Sequence, residues 1–206
     1  MSASRFPSEA WSDRALESEG DFSGVTNQNP AGIKFFELIA EDYRTHDRNP
    51  AEPGFWAVAV HRFGNWRMGV RHRALRLPLS AAYRVLHTAM KWLWGIDLEY
   101  TVKLGRRVRL WHHGGMVLGA RRIGDDVHIR HNVTLGLAAR NWPNERPVIE
   151  DEVEIGVGAV VVGKVRIGRG TVIAPNSVVL SSVPAGGWTV LGVPARAVWR
   201  RPAHES

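Results

Sequence analysis

Six residues is the interval that governs the second half of this chain. Ile149, Ile155, Val161, Ile167, Ile173 and Val179 stand six apart. Four positions after each comes a small or β-branched residue: Val153, Ala159, Val165, Thr171, Ser177 and Val183. The same phase reads earlier through Leu98, Leu104 and Leu110, then through Val117, Ile123, Ile129 and Leu135. A hexapeptide period marks a solenoid in which three rungs of six close one triangular coil of about eighteen residues. It predicts a mainly β chain folded as a left-handed parallel β-helix, preceded by a small α-helical domain. The aliphatic residue of each rung points inward and stacks on its equivalent one coil away. Gly105, Gly124, Gly156 and Gly168 follow it, where a tight corner needs backbone freedom. Parallel strands ordinarily require long right-handed crossovers, and six-residue rungs leave no room for them. Function is therefore expected on outer faces, in loops that leave the coil, and between copies of the chain.

The remainder divides around that coil. Residues 1–30 are polar and read as a mobile segment. Residues 31–96 read as helices: Ile33, Phe36, Ala40 and Tyr43 are spaced for one face, Phe55, Ala59, Phe63 and Trp66 for the next, and Pro78 separates that helix from a third. Residues 97–199 form the coil, interrupted by an excursion loop over 136–148, and 200–206 form a tail. Lys and Arg number 27 against 20 for Asp and Glu, a net charge of +7 that favours anionic partners. With no cysteine, thiolate catalysis and cysteine–zinc sites are excluded. The amino terminus has no apolar stretch suited to a secretory signal, and no run of about eighteen apolar residues suggests a membrane span. A cytoplasmic protein is expected. Arg67, Arg71, Arg73 and Arg76 make the helical region basic, which permits a peripheral contact with acidic lipid headgroups. Nucleic acid is not an expected partner, because no recognition helix or stacking platform accompanies these cations.

Histidines carry the candidate chemistry: His112 and His113 in one rung, His128 and His131 in the next. Imidazole titrates near neutral pH and can take a proton from a hydroxyl. It works best with its second nitrogen held by a carboxylate. Asp97 lies fifteen residues before His112, roughly one coil away. Surface histidines on a solenoid are the competing reading.

Residues 97–119, DLEYTVKLGRRVRLWHHGGMVLG, resemble the segment that opens the catalytic half of serine acetyltransferases. IGDDVHIRHNVTLG resembles that family's run into its loop, and LGVPARAV its closing segment. The resemblance implies an acyltransferase that moves acetyl from acetyl-CoA to a hydroxyl. His112 is then the general base and Asp97 its orienting partner, with His113 one residue off the family position. It also implies CoA in a groove between subunits of a homotrimer. Gly136, Gly158, Ala159, Ala174, Gly192 and Pro194 match positions where small residues admit pantetheine. Lys164 and Arg196 are candidate phosphate partners, with Arg166, Arg169, Arg200 and Arg201 behind them. No metal is implied.

Departures from the family pattern fall on the acceptor side. The carboxylates that the family turns toward an amino acid's ammonium are replaced by Trp111 and Asn49, and its loop Arg-His-Pro becomes Glu145-Arg146-Pro147. Trp111, His113, Asn49 and Arg146 are therefore expected to bind the acceptor. A large aromatic in place of a carboxylate favours a sugar hydroxyl, as in the exopolysaccharide branch of such enzymes, with serine the alternative. A zinc hydro-lyase of the carbonic-anhydrase kind, using His112 or His113 with His128 or His131, and a non-catalytic scaffold are the remote readings.

Overall fold

The computed structural model describes residues 24–138 and 145–200, the side chain of Arg200 excepted. Most of the expected mobile segment, the tip of the excursion loop (139–144) and the tail beyond Arg200 lie outside these residues.

Among the described residues three helices come first: α1 (Phe35–Thr45), α2 (Pro53–Trp66) and α3 (Arg73–Trp94), with one 3-10 turn at Arg67–Gly69 after α2. Pro53 opens α2, where its missing N–H has no helical partner to lose. Gly95, in the left-handed conformation, closes α3. Two sequence expectations fail here. Pro78 sits inside α3 instead of ending a helix, and the break falls at Gly69–His72. So early in α3 the proline removes only one ladder bond, whereas Val70 is extended and ends the preceding turn. The inward face of α1 is Leu38 and Asp42, while Phe36 is exposed, because Asp42 has a buried partner on α2.

Fifteen short strands follow among the described residues. β1 (Ile96–Asp97), β4 (Met116–Leu118), β7 (Thr134–Gly136), β10 (Val160–Val162) and β13 (Val178–Val179) build one parallel sheet. β2 (Lys103–Leu104), β5 (Arg122–Ile123), β8 (Val148–Ile149) and β11 (Arg166–Ile167) build the second. The third holds β3 (Arg109–Leu110), β6 (His128–Ile129), β9 (Glu154–Ile155), β12 (Val172–Ile173) and β14 (Trp188–Gly192), with β15 (Ala195–Arg200) folded back antiparallel on β14. Every third strand pairs, so the chain winds as a left-handed parallel β-helix. Leu104, Ile123, Ile149 and Ile167 stack in register, as do Leu110, Ile129, Ile155, Ile173 and Val190. Each of these buried side chains contributes roughly 1.5–3 kcal/mol of transfer free energy.

The third column corrects the sequence reading. Leu118, not Val117, stacks on Leu135, Val161 and Val179, and Val117 is 46% exposed. The rung from Leu110 to Leu118 spans eight positions where Ile129 to Leu135 spans six. The surplus lies in the corner His112–Gly115, which is pushed out of the coil. The glycines after the aliphatic positions also act differently than expected. Gly105, Gly124, Gly156 and Gly168 have ordinary φ. They are needed because the next coil passes too close: a Cβ at Gly168 would lie 2.2 Å from Ala185 N, and one at Gly105 2.4 Å from the Gly124 carbonyl carbon.

The helices close the first coil through buried polar bonds. Arg62 and Asp42 form an ion pair without solvent exposure, and Arg62 Nη1 also donates to the Leu104 carbonyl at 2.8 Å. His61 Nε2 bonds the Val102 carbonyl at 2.8 Å, and Asn65 Nδ2 donates to Tyr100 O at 2.7 Å. His46 bonds the Asp42 carbonyl through Nδ1, and its Nε2 accepts the Leu110 N–H at 3.3 Å. A carbonyl only accepts and an amide N–H only donates, so the His46 proton sits on Nδ1.

Candidate active site

The long corner and the start of α2 face each other across an open cleft of about 500 Å³ lined by Ala51, Glu52, Pro53, His112, His113 and His131. His112 has φ +62, in the left-handed region that a side chain seldom adopts. Such corners recur in this coil at Asp126, Asn132 and Asn176, so the conformation belongs to the fold, while the imidazole is particular to this rung. Gly115 makes the corner possible: its φ is +63, and a Cβ there would fall 2.3 Å from Asn132 Oδ1. The His112 ring meets His131 edge to face at 5.4 Å. His131 Nδ1 is buried and has no hydrogen-bond partner among the described residues. The cleft thus brings together an exposed imidazole, a second with an unused nitrogen, and the Glu52 carboxylate.

Asn49 stands behind this wall and does not line it. Its side-chain oxygen accepts the Ala51 N–H at 3.0 Å, an Asx turn that sets the course of 51–53 into α2. Trp111 is on the outer face of the third sheet. The Arg109 guanidinium stacks on its ring at 3.6 Å, and its indole N–H donates to His128 Nδ1 at 3.2 Å. Arg109 is held in turn by Asp47 at 3.0 Å. Burial pushes the His128 ring below the usual imidazole range. His128 is therefore tied to Trp111 and stands outside the cleft.

Asp97 opens a second, smaller cleft of about 250 Å³ with Glu99, Val117, Gly119, Gly136 and Arg146 among its walls. Its carboxylate is engaged by α3: His87 Nε2 lies 3.2 Å from Oδ1 and Lys91 Nζ 2.9 Å from Oδ2. His87 first, then Lys91, hold the Asp97 carboxyl below the usual carboxylate range against the opposing effect of its partial burial. Among the described residues no hydrogen bond joins Asp97 to His112. Of the expected site residues, then, His112 and His113 share one cleft, and Asp97, Gly136 and Arg146 share the other.

The residues expected along the CoA groove are spread over later coils. Gly158 is a corner residue with φ +69. The Ala159 side chain points into the core, and Ala174 follows β12 with its N–H bonded to the Val190 carbonyl at 2.9 Å. Gly192 ends β14, where its N–H donates to Ser177 Oγ at 3.2 Å, and Pro194 lies in the turn to β15. Lys164 is half-buried and Arg196 exposed. Arg166 and Arg169 are committed to Glu150 and Glu152, which leaves less capacity for phosphate.

Sequence reasoning missed Glu52, His87 and Lys91. His87 and Lys91 are four apart and hence on one helical face, a signal legible just before Asp97. Glu52 gave none, because only the fold carries the α2 start to His112. Among the described residues no group of three His, Asp or Glu is arranged to hold a metal ion.

Comparisons with known proteins fit this architecture. Residues 146–181 match the family described as bacterial transferase hexapeptide (six repeats). The chain is 31% identical over 169 residues to a serine acetyltransferase of Bacillus pumilus, covering 80% of this chain and 77% of the relative. It is 33% identical to that of Mycobacterium tuberculosis, covering 87% and 71%. Among solved structures, serine acetyltransferase from Brucella abortus in complex with coenzyme A superposes with a TM-score of 0.68 at 25% identity, over 91% of this chain and 82% of that one. The soybean enzyme complexed with serine gives 0.67 at 27% identity, over 90% and 83%. With the hexapeptide coil, the projecting His112 corner and this kinship together, the chain belongs to the serine acetyltransferase family and is an acyltransferase that uses acetyl-CoA.

Proposed function

We propose that the chain transfers acetyl from acetyl-CoA to the hydroxyl of L-serine, with His112 as general base. The observation that carries this reading is the cleft itself: an exposed imidazole on a lengthened corner shares it with Glu52, a residue whose carboxylate suits an ammonium group. The relatives' names support serine, and Glu52 offers a charge that Trp111 and Asn49 cannot. His112 takes the proton of the acceptor hydroxyl, and the oxygen attacks the thioester carbonyl carbon. The carbon–sulfur bond then breaks, and His112 returns the proton to the CoA thiolate. His113 and His131 line the acceptor side. Asp97 is the anionic partner for His112 once Lys91 or His87 yields a carboxylate oxygen. Arg146 faces the acceptor from the second cleft, and the groove running past Gly136, Gly158 and Ala174 to Gly192, Pro194 and Arg196 receives CoA, with Lys164 and Arg196 toward its phosphates. A homotrimer is the assembly in which that groove is completed between subunits. The helical domain 31–96 then serves as wall to a catalytic coil over 97–199, in a cytoplasmic enzyme.

A second reading is favoured by one observation: Trp111, locked by Arg109 and His128 beside His112, offers a rigid aromatic surface of the kind that packs against sugars. On that reading the acceptor is a sugar hydroxyl of a surface polysaccharide or its precursor. Steady-state acetyl transfer with L-serine and with a panel of sugar acceptors separates the two. Serine turnover with a KM of roughly 1 mM or below supports the first. Turnover of sugars alone overturns it in favour of the second.

A further inference from the structure

Helix α3 turns Tyr83 and Met90 to the core and presents its opposite face to solvent. That outer face is apolar from end to end. Leu75, Pro78, Val85, Leu86, Trp92 and Leu93 are all exposed, Val85 by 70% and Trp92 by 84%. Its 22 residues extend about 33 Å at 1.5 Å per residue. An uncovered apolar strip of that length calls for an occupant.

Charge chooses between occupants. Residues 53–96 contain no Asp or Glu, yet they carry Arg71, Arg73, Arg76 and Arg84 on or beside this helix. Among the described residues none of these four forms an ion pair. At 100° per residue, Arg73 and Arg84 fall along one edge of the apolar strip, where their stems can lie on apolar surface and their heads reach outward. A second copy docking this face would bring cationic rims together without a counter-charge. A surface of anionic lipid headgroups over an acyl interior matches both parts, and Trp92 is the residue type that settles at that boundary. Among the described residues no helix is long and apolar enough to cross a membrane, so α3 would lie in the interface plane.

We propose that α3 docks the protein on anionic membrane surfaces, its apolar strip entering the headgroup boundary and its arginines binding lipid phosphates. The inference is independent of which acceptor is acetylated. The test is flotation of the full-length protein with vesicles of phosphatidylcholine alone and of phosphatidylcholine mixed with phosphatidylglycerol. The expected result is binding to the mixed vesicles only, weakened by salt. V85E/W92E should abolish it. R73Q/R84Q should lower the partition coefficient by about 30-fold, the worth of two basic residues near an anionic surface. Sedimentation mass and helix content should be unchanged in both variants. No binding by the wild type, or binding that survives both variants, overturns the proposal. A fall in oligomer mass in V85E/W92E also overturns it, by assigning the strip to a second copy.

Discussion

His61 ties the stability of the helical domain, and with it the cleft beside His112, to pH. The ring is buried between α2 and the first coil, where Nε2 bonds the Val102 carbonyl while Nδ1 meets no acceptor among the described residues. Protonating Nδ1 would place a charge in a dry interior beside the Arg62 guanidinium. Burial, and secondarily Arg62, push the His61 pKa down to about 3 from an ordinary 6.5. The folded protein therefore holds this ring neutral, whereas the unfolded chain takes up a proton below 6.5. The stability contribution is complete above that value and is lost as pH falls toward 3. At about pH 5 the unfolded ring has gained about 1.5 pH units of protonation free energy and the folded ring none, a loss of about 2 kcal/mol. That figure is insensitive to the folded value so long as it stays well below 5.

The perturbation is His61→Gln, which keeps an N–H donor for the Val102 carbonyl and removes the titration. Urea unfolding of wild type and variant at about pH 7.5 and about pH 5 gives four free energies. Wild type should lose about 2 kcal/mol more than the variant on acidification. His46, also held below the usual range by its burial, titrates in both proteins and cancels in the difference. Equal losses would refute the reasoning, since they would mean that the folded state protonates His61 as readily as the unfolded chain. Because α2 carries the Ala51–Pro53 wall near its start, acetyl transfer should fall over the same interval.

His112→Ala should lower acetyl transfer by at least ~100-fold while leaving CoA affinity, measured by calorimetry, within about twofold. Lys91→Met should raise the Asp97 pKa, because a cation 2.9 Å from Oδ2 is withdrawn; carboxyl NMR titration reads the shift directly. Asp42→Ala strands the Arg62 guanidinium in a site without solvent exposure and should cost about 3–5 kcal/mol in urea unfolding, with D42A/R62M costing less than D42A alone. Gly115→Ala must fit a Cβ 2.3 Å from Asn132 Oδ1 at a left-handed φ, so it should destabilise by at least ~1 kcal/mol and displace His112, with activity falling further than stability.

What the sequence disclosed and what it concealed follow from how each feature is encoded. The coil is written in a local period, and one inward side chain per rung suffices to read it, as Leu104, Ile123, Ile149 and Ile167 do. The same period misassigned Val117, because a corner of surplus length shifts phase without changing composition. That slip is informative in itself: the corner that escapes the repeat is the one that carries His112. The projection of His112 was thus legible as an irregularity, although its neighbours were not. Glu52 reaches the cleft only because Arg62, His61 and His46 fasten α1 and α2 over the first coil through bonds spanning 41 to 64 residues, and no local pattern encodes such bonds. Asp97 shows the opposite limit. Its fifteen-residue spacing from His112 falls short of one coil, because the residue paired with Asp97 on the next coil is Val117, and spacing in any case fixes only the backbone. Which partner the carboxylate takes is decided by α3, where a histidine and a lysine one turn apart reach it first. Lys91 Nζ, on an exposed side chain of α3, is the close cation at 2.9 Å, while the His87 ring stacks on Tyr83 beside it. The titration of Asp97 in Lys91→Met therefore reports how firmly α3 holds this carboxylate more directly than any single distance does.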